Sequence, residues 1–320
     1  MSAYPKHLLS IKNLNRSQVN EIIHKALAYK ENAQKGFVIA PLAAPKVVAL
    51  VFLEPSTRTR MSFDIAAHRI GARPVIFTAD GQTSLAKGET EYETLENILS
   101  MRPDVAVVRN RHALTGDTKN SPPDEIKIRK VIEKLNIPIV SGGDGKNEHP
   151  TQALLDAMTI FERQGRIEGQ KIVFVGDAEH SRVAHSGKLL FEMMGAEVGV
   201  CAPEELHPQS HDWAQVKKFS TLKDSLDWAT VCVGLRIQKE RHQGRGKFNL
   251  EKYIENYRID KKNLKNLKDD ALIMSPGPFV PEEDLSEDIL DDSRCVIHQQ
   301  VTNGVYTRMV ILADILQGAQ

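Results

Sequence analysis

The sequence has no excess of charge of either sign, because 42 Lys and Arg residues balance 42 Asp and Glu residues. Proteins that bind nucleic acid or anionic lipid over a broad surface carry a positive excess, so any basic site here must be local. Long apolar runs are also absent. No segment approaches the roughly 18 to 20 apolar residues that span a bilayer, and residues 1–17 lack the apolar core of a secretion signal. We expect a soluble, untargeted protein.

Cysteine is scarce, with three residues, Cys201, Cys232 and Cys295. The Cys-x-x-Cys pair typical of zinc sites is missing, and an odd number does not fit a disulfide framework. Reduced thiols are the rule in the cytosol. The cysteines therefore favour a cytoplasmic protein.

Short apolar runs alternate with amphipathic stretches along the chain. The runs occupy residues 47–52, 104–108, 137–140, 171–176, 196–201, 230–235 and 271–274. Such alternation is typical of parallel sheets with helices on both faces. Because 320 residues exceed what one core usually holds, two domains are expected. The predicted fold class is α/β, with one parallel sheet and its covering helices in each domain.

Two glycines in segment 164–170, between a helix and a strand, mark the predicted domain boundary. The first domain then covers residues 1–165 and the second covers 166–302. A C-terminal helix over 303–320 is predicted to return and pack on the first domain. The polar, proline-containing segment 115–125 is predicted to be an exposed, mobile loop.

A dense group of hydrogen-bond donors follows the first predicted strand. Pro55 prevents an early helix start and Ser56 is a favourable N-cap, so the next amides are unpaired donors at the positive end of the helix dipole. Such a helix N-terminus binds anions, and two hydroxyls and a guanidinium on the same turn, from Thr57, Arg58 and Thr59, add to it. The alternative is an ordinary cap beside solvated arginines. The density of donors favours a phosphate site.

Other polar residues lie near predicted strand ends, where open α/β sheets bind ligands. Arg109 ends a strand, with a surface arginine as the alternative, while His149 and Gln152 open a helix. A single histidine at a helix start is usually a cap or a surface residue. Metal binding has little support, because no clustered ligand set accompanies His149.

Three further segments have both a functional and a simple structural explanation. Residues 81–89 form a polar loop, and the structural explanation for it is a solvated turn. Residues 235–241 form a basic segment, and the structural explanation is a helix start. Residues 275–278 are explained structurally as a rigid turn. A dinucleotide-binding turn is excluded after the strand at 171–176, since only Gly176 of the required Gly-x-Gly-x-x-Gly is present.

Four motifs together resemble the aspartate and ornithine carbamoyltransferase family. They are Ser-Thr-Arg-Thr-Arg at 56–60, His-Pro-Thr-Gln at 149–152, the Ser-Arg-Val of the Gly-Asp loop at 181–183, and Leu-Arg-x-Gln-x-Glu-Arg at 235–241. The resemblance covers essentially the whole chain in order. It implies transfer of a carbamoyl group from carbamoyl phosphate to L-aspartate, the committed step of pyrimidine synthesis, without metal or organic cofactor. The motif at 235–241 favours aspartate over ornithine, because the ornithine enzymes use different segments.

The resemblance also implies roles for individual residues. Catalytic roles fall to Arg58, Thr59, Lys87, Arg109 and His149. Contacts to carbamoyl phosphate come from Ser56, Thr57, Arg58, Thr59, Arg109, His149, Gln152, Gly277 and Pro278, with Ser84 and Lys87 supplied by the neighbouring subunit of a homotrimer. Contacts to L-aspartate come from Lys87, Arg182, Arg236 and Gln238.

One loop departs from the family pattern. Relatives usually have histidine where this chain has Ser275, and an Asn-Arg-Gly run where it has Phe279-Val280-Pro281. Two alternatives therefore stay open: a related transcarbamylase that acts on another amino acid or amine, and a catalytically silent relative that serves as a scaffold. A regulatory subunit or a dihydroorotase partner is compatible with the resemblance.

Overall fold

Each apolar run forms a strand of one of two parallel sheets, one sheet in each of two units of the chain. The structure, a computed structural model, describes residues 5–36, 42, 44–79, 83–116, 121–238 and 249–318. One unit comprises residues 1–158 with 301–320, and the other comprises 159–300. The fold class is α/β, as predicted. Among the described residues, no helix combines the length and apolarity needed to cross a membrane.

The first unit contains a four-stranded sheet with the order β2-β1-β3-β4, all parallel. Its strands are β1 (Val47–Phe52), β2 (Arg73–Thr78), β3 (Val105–Asn110) and β4 (Ile139–Asp144). The helices associated with it are α1 (Arg16–Gln34), α2 (Arg58–Arg69), α3 (Glu91–Ser100), α4 (Pro123–Leu135) and α5 (Pro150–Gln164), the last of which runs on into the second unit.

The second unit contains a five-stranded sheet with the order β7-β6-β5-β8-β9, also all parallel. Its strands are β5 (Lys171–Val175), β6 (Glu197–Cys201), β7 (Lys217–Phe219), β8 (Val231–Gly234) and β9 (Leu272–Met274). The remaining helices are α6 (Arg182–Met193), α7 (Leu222–Trp228), α8 (Leu250–Tyr257) and the C-terminal α9 (Ile297–Gly318), which begins earlier than the predicted 303.

Strand β1 shows why the continuous apolar runs become central strands. Ala49 and Val51 belong to a cluster that includes Leu95 of α3 and Ile128 of α4. The alternate residues of the strand, including Leu50, are also buried. A strand buried on both faces needs apolar residues at every position, as the sequence of β1 provides.

Segment 115–125 differs in part from the predicted mobile loop. Residues 117–120 lie outside the described residues, but Pro123 starts helix α4 and Pro122 is its N-cap. Proline is well suited to the first helical position, because its missing N–H has no partner there in any case. The prolines that predicted a loop mark a helix start instead.

Candidate active site

Each sheet has one place where the order of strand addition reverses. In the first unit it lies between β1 and β3, and in the second between β5 and β8. Ligands of open parallel sheets bind at the carboxyl ends of the strands at such points. The predicted phosphate turn follows β1 and Arg109 lies near the end of β3, while Arg182 and Arg236 follow β5 and β8.

The phosphate turn after β1 leads directly into helix α2. The first helical hydrogen bond runs from the Met61 amide to the Thr57 carbonyl, 3.0 Å, so the amides of residues 58–60 have no partner inside the helix. The predicted N-cap, Ser56, is wrong: the N-cap is Thr57, whose backbone is already helical and whose side chain makes no capping bond. The hydroxyls are thus not used for capping, and the helix start suits an anion.

Two predicted site residues meet at this helix start. The Oγ1 atom of Thr59, on the first turn of α2, lies 3.4 Å from Nε2 of His149, and both side chains are buried. On the other side of the imidazole, Oγ1 of Thr151 lies 3.5 Å from Nδ1. Gln152, in the first turn of α5, donates to Asp156 over 3.0 Å. The start of α2 and the start of α5 therefore share one site.

Arg109 occupies the neighbouring strand end. Its guanidinium donates to the Gly142 carbonyl of β4, 3.2 Å, and lies 3.5 Å from the carboxylate of Glu54 in the phosphate turn. Glu54 and Gly142 hold the guanidinium at the carboxyl edge of the sheet. The structure thus brings Arg109 to the same edge as the turn that carries Arg58.

A buried carboxylate orders the turn that precedes His149. Asp144, at the end of β4, accepts hydrogen bonds from the amides of Leu114, 2.7 Å, and Glu148, 2.8 Å, and from the side chain of Asn147 at 3.0 Å. Glu148 in turn accepts from the amide of Ile11 at 2.9 Å. These bonds fix the backbone that presents His149, although burial raises the pKa of Asp144 to about 7.

This raised pKa gives a pH-dependent prediction. The stability advantage of the wild-type chain over an Asp144→Asn variant is expected to shrink as the pH rises from 5 to 8. Between the ordinary carboxyl pKa of 3.8 and about 7, the folded wild-type chain binds more protons than the unfolded chain, so its stability falls with rising pH. Asparagine does not titrate. Urea unfolding at pH 5 and at pH 8 measures the difference in free energy of unfolding between the two chains. A difference that grows with pH would contradict a raised pKa of Asp144.

In the second unit, a buried aspartate joins two predicted substrate segments. Asp177, in the loop after β5, accepts from the side chain of His180, 2.8 Å, and from the backbone amide of Gln238, 3.1 Å. Gly176 allows the close approach, because a Cβ at its φ of +118° would lie 2.4 Å from the Leu235 carbonyl oxygen. The loops after β5 and β8 are therefore held side by side.

The segment after β8 presents Arg236 and Gln238 together. The Arg236 guanidinium donates to Oε1 of Gln238 over 3.1 Å. Between them, the amide of Ile237 donates to the buried carboxylate of Asp284 at 3.1 Å. Arg182 begins helix α6 after the β5 loop. The rest of the motif, residues 239–241, lies outside the described residues.

The loop after β9 uses most of its N–H donors internally. Gly277 donates to the hydroxyl of Ser275 over 3.3 Å, and Val280 donates to Asp284 over 3.0 Å. The prolines at 276, 278 and 281 have no N–H. Gly277 and Pro278, joined by a cis peptide bond, therefore lie in a loop that offers carbonyl oxygens more than donors.

Ser84 and Lys87 are the predicted residues that stand apart. They lie on a short 3-10 helix, Ser84–Lys87, and both are exposed. Among the described residues, no side-chain hydrogen bond joins either of them to the residues of the two sites. Gly81 and Gln82 of the same predicted loop lie outside the described part of the chain.

Sequence reasoning missed the buried residues that support these sites. Asp177 and Asp284 hold the segment at 236–238, and Arg308 of α9 reaches the first site. Carboxylates inside a site loop have no periodicity that identifies them. The sequence did contain a sign that Arg308 is buried, because this arginine directly precedes the apolar run 309–313 of the C-terminal helix. A charged residue in such a position is rarely buried without polar partners.

Fold and site geometry together define an α/β protein with a helix start of unpaired amides at a strand end in one unit and arginines after two strand ends in the other. Two family models specify the class further. The aspartate/ornithine carbamoyltransferase carbamoyl-P binding domain matches residues 6–162, and the Asp/Orn binding domain of the same family matches residues 168–315. The chain belongs to the aspartate/ornithine carbamoyltransferase family.

Relatives match over nearly their whole length. The aspartate carbamoyltransferase catalytic subunit of Flavobacterium johnsoniae is 37% identical over 96% of this chain and 95% of its own. That of Thermus thermophilus is 36% identical over 98% and 99%. Among solved structures, aspartate transcarbamoylase from Trypanosoma cruzi in complex with N-(phosphonacetyl)-L-aspartic acid has a TM-score of 0.84 at 27% identity, covering 98% of this chain and 96% of that one. The catalytic subunit of the M. jannaschii enzyme has a TM-score of 0.81 at 31% identity, covering 98% of each.

Proposed function

We propose that this chain transfers the carbamoyl group of carbamoyl phosphate to the amine of L-aspartate, giving N-carbamoyl-L-aspartate and phosphate. The observation that carries the proposal is the meeting of Thr59 and His149 at the start of α2. A helix N-terminus suited to phosphate lies there beside a side chain able to polarise a carbonyl oxygen. The Trypanosoma cruzi relative has been crystallised with carbamoyl phosphate and with aspartate. Both substrates therefore fit the family.

Carbamoyl phosphate is assigned to the first site. The amides at the start of α2 and the side chains of Ser56, Thr57, Arg58 and Thr59 hold the phosphoryl group. Thr59, Arg109 and His149 donate to the carbonyl oxygen. Gln152 binds near the carbamoyl amide, and the carbonyl oxygens of Gly277 and Pro278 accept from the carbamoyl nitrogen and the attacking amine.

L-Aspartate is assigned to the charged groups after β5 and β8. Arg182 and Arg236 bind its two carboxylates, and Gln238 and Lys87 complete the contacts. The hydrogen bond between Arg236 and Gln238 supports a joint role, because it holds both polar groups in one place. Arginine binds a carboxylate through two parallel hydrogen bonds and so fixes its orientation as well as its position.

The chemistry follows from where charge develops. Attack of the amine places negative charge on the carbonyl oxygen and then expels phosphate, so donors aimed at both positions lower the barrier. Alignment of the two bound substrates contributes further, since it converts a reaction between two molecules into one within a complex. The departing phosphate takes the proton of the amine. An essential enzyme base in the pH-rate profiles of lysine and histidine variants would contradict that last step.

A homotrimer with shared sites completes the proposal. Four large apolar side chains on α2 and the neighbouring edge strand β2 are exposed, and such exposure is typical of an interface. They are Met61 at 53%, Ile65 at 40%, Val75 at 60% and Ile76 at 47%. Ser84 and Lys87, exposed on their short helix, are assigned to the site of the neighbouring subunit. A regulatory subunit or a dihydroorotase is a possible further partner.

Each of the two predicted domains is assigned one of the two substrates. We assign carbamoyl phosphate to residues 1–165 together with the C-terminal helix over 303–320, and aspartate to residues 166–302. The match of a carbamoyl-P binding model to the N-terminal part and of an Asp/Orn binding model to the rest supports this assignment. The free thiols of Cys201, Cys232 and Cys295 support a cytoplasmic location.

Carbamoyl transfer by the purified chain tests the proposed function. With carbamoyl phosphate present, we expect product with L-aspartate and none with L-ornithine. Other amino acids and amines belong in the same assay, because the loop with Ser275 and Phe279-Val280-Pro281 departs from the family pattern. Product with one of those amines alone would identify the related transcarbamylase. The scaffold alternative predicts no product with any amine while phosphate and aspartate still bind.

A further inference from the structure

A buried arginine of the C-terminal helix reaches the first site from behind. Arg308 of α9 is 3% exposed, and its Nη1 donates to the hydroxyl of Ser62 on α2 over 2.8 Å. Its Nη2 donates to Oγ1 of Thr151 on α5 over 3.5 Å. A Cβ at position 304 would lie 2.6 Å from Nη1, so Gly304 leaves room for the guanidinium. One side chain thus connects α9 to the helices that carry Thr59 and His149.

The contact between Arg308 and Thr151 favours one direction for a hydrogen-bond chain. A guanidinium has donors and no acceptor. The Thr151 oxygen must therefore accept from Arg308, which leaves the hydroxyl hydrogen of Thr151 free to donate elsewhere. Nδ1 of His149, 3.5 Å away, lies within reach to accept that hydrogen. A neutral imidazole that accepts at Nδ1 carries its proton on Nε2.

The protonated nitrogen then faces the reacting group. Nε2 of His149 lies 3.4 Å from Oγ1 of Thr59, beside the free amides at the start of α2. In the opposite tautomer, Nε2 would have a lone pair and could not donate to a carbonyl oxygen placed there. The choice of tautomer thus decides whether His149 stabilises or repels the developing negative charge.

We propose that Arg308 and Thr151 are positioning residues that hold His149 in the Nε2–H tautomer, so that it donates to the carbonyl oxygen of carbamoyl phosphate. The proposal rests on the proposed function for the identity of that oxygen. The tautomer assignment is argued from the donor and acceptor chemistry of the three side chains and does not depend on the substrate.

The charge of Arg308 is part of the arrangement. Removing a guanidinium from water costs free energy, and burial lowers the pKa of Arg308 to about 10, which leaves the side chain charged at neutral pH. The carboxylate of Asp156 opposes that shift, and it also accepts from Gln152 over 3.0 Å. Arg308 thus connects to His149 through Thr151, and the carboxylate that favours its charge is the one that binds Gln152.

Thr151 provides a cleaner test than Arg308, whose removal leaves a cavity in the core. Thr151→Val replaces the hydroxyl by a methyl group of similar size, and Thr151→Ser keeps the hydroxyl. Thr307→Val is a matched control, since Thr307 is also fully buried and its hydroxyl donates to the Met158 sulfur over 3.3 Å. Protein labelled with 15N-histidine reports which ring nitrogen carries the proton, and a His149→Gln sample identifies the signals of His149.

We expect the Nε2–H form of His149 in the wild-type chain, in Thr151→Ser and in Thr307→Val, and its loss in Thr151→Val. The kcat of Thr151→Val is expected to fall at least about 10-fold, within the roughly 10²–10³-fold effect of losing a whole oxyanion donor, with little change in the KM for carbamoyl phosphate. An unchanged tautomer in Thr151→Val would overturn the proposal, as would a changed tautomer with unchanged kcat. Because the spectrum needs no turnover, an inactive wild-type chain would count against the proposed function and not against the tautomer.

Discussion

Replacing Arg58 by alanine is expected to lower kcat by about 10²–10³-fold, the effect seen when one preorganised donor to a developing charge is removed. Arg58 begins helix α2 and is exposed beside the free amides of that helix, where it can bind two oxygens of the departing phosphate at once. The loss should appear in kcat, because the charge on the leaving group increases in the transition state.

Two further variants make this result specific. Arg58→Lys keeps the charge but loses the planar pair of donors, so an intermediate loss of activity is expected. Arg166→Ala removes an exposed arginine of the second unit that has no assigned role, and should leave kcat within about threefold of wild type. Steady-state assays at saturating aspartate measure all three. An Arg58→Ala enzyme as active as Arg166→Ala would remove Arg58 from the phosphate site.

The second large effect is a recovery of activity. In the proposed homotrimer, the Arg58→Ala and Lys87→Ala variants are each expected to be nearly inactive, yet mixed and reassembled chains should regain up to about a quarter of wild-type activity. In a ring of identical interfaces, about one site in four then combines an intact Arg58 with an intact Lys87 from the neighbouring chain. Ser84 and Lys87 lie on an exposed segment, as such sharing requires.

The control for this experiment is the pair of variants mixed without dissociation of the trimers. No recovery is expected there, because chains must exchange to form hybrid sites. Reassembled mixtures that stay inactive, although a charged tag on one of the two variants shows that hybrid trimers have formed, would show that Lys87 serves its own subunit or none.

The sequence predicted all but one edge strand of each sheet. All seven apolar runs form strands, and the two strands without such a run, β2 and β7, are edge strands of their sheets. An edge strand is not fully buried and tolerates polar residues, as Arg73 of β2 and Lys217 of β7 illustrate. A search for continuous apolar runs therefore finds strands that are covered on both faces and passes over the others.

The positions of several site residues along the fold were also predicted, but one detail of the phosphate turn was not. The positions of Arg109, His149 and Arg236 near strand ends followed from the alternation of strands and helices. The wrong N-cap at Ser56 has a local cause: Ser56 and Thr57 are both capping residues, and which one caps depends on where the backbone becomes helical. Thr57 is already helical, so the choice was made by the geometry of the turn and not by residue preference.

Met61 and Ile65 show a different limit. Their spacing on α2 is that of a core-facing pair, but both are exposed, and the buried face of the helix carries Thr59, Ser62 and Phe63. Periodicity identifies which residues share a helix face. It does not say whether that face meets the core of the same chain or another surface.

By itself, the sequence determined the class of fold, the order of the loops that carry donors, and the family, because these depend on local alternation and on short motifs. The tertiary structure alone decided that Thr59 meets His149, that Asp177 and Asp284 hold the segment at 236–238, and that Arg308 lies behind Thr151. Each of these pairs is far apart in sequence. Their contact depends on how strands order within a sheet and on where a helix ends its path, since burial then requires each polar group to find a partner.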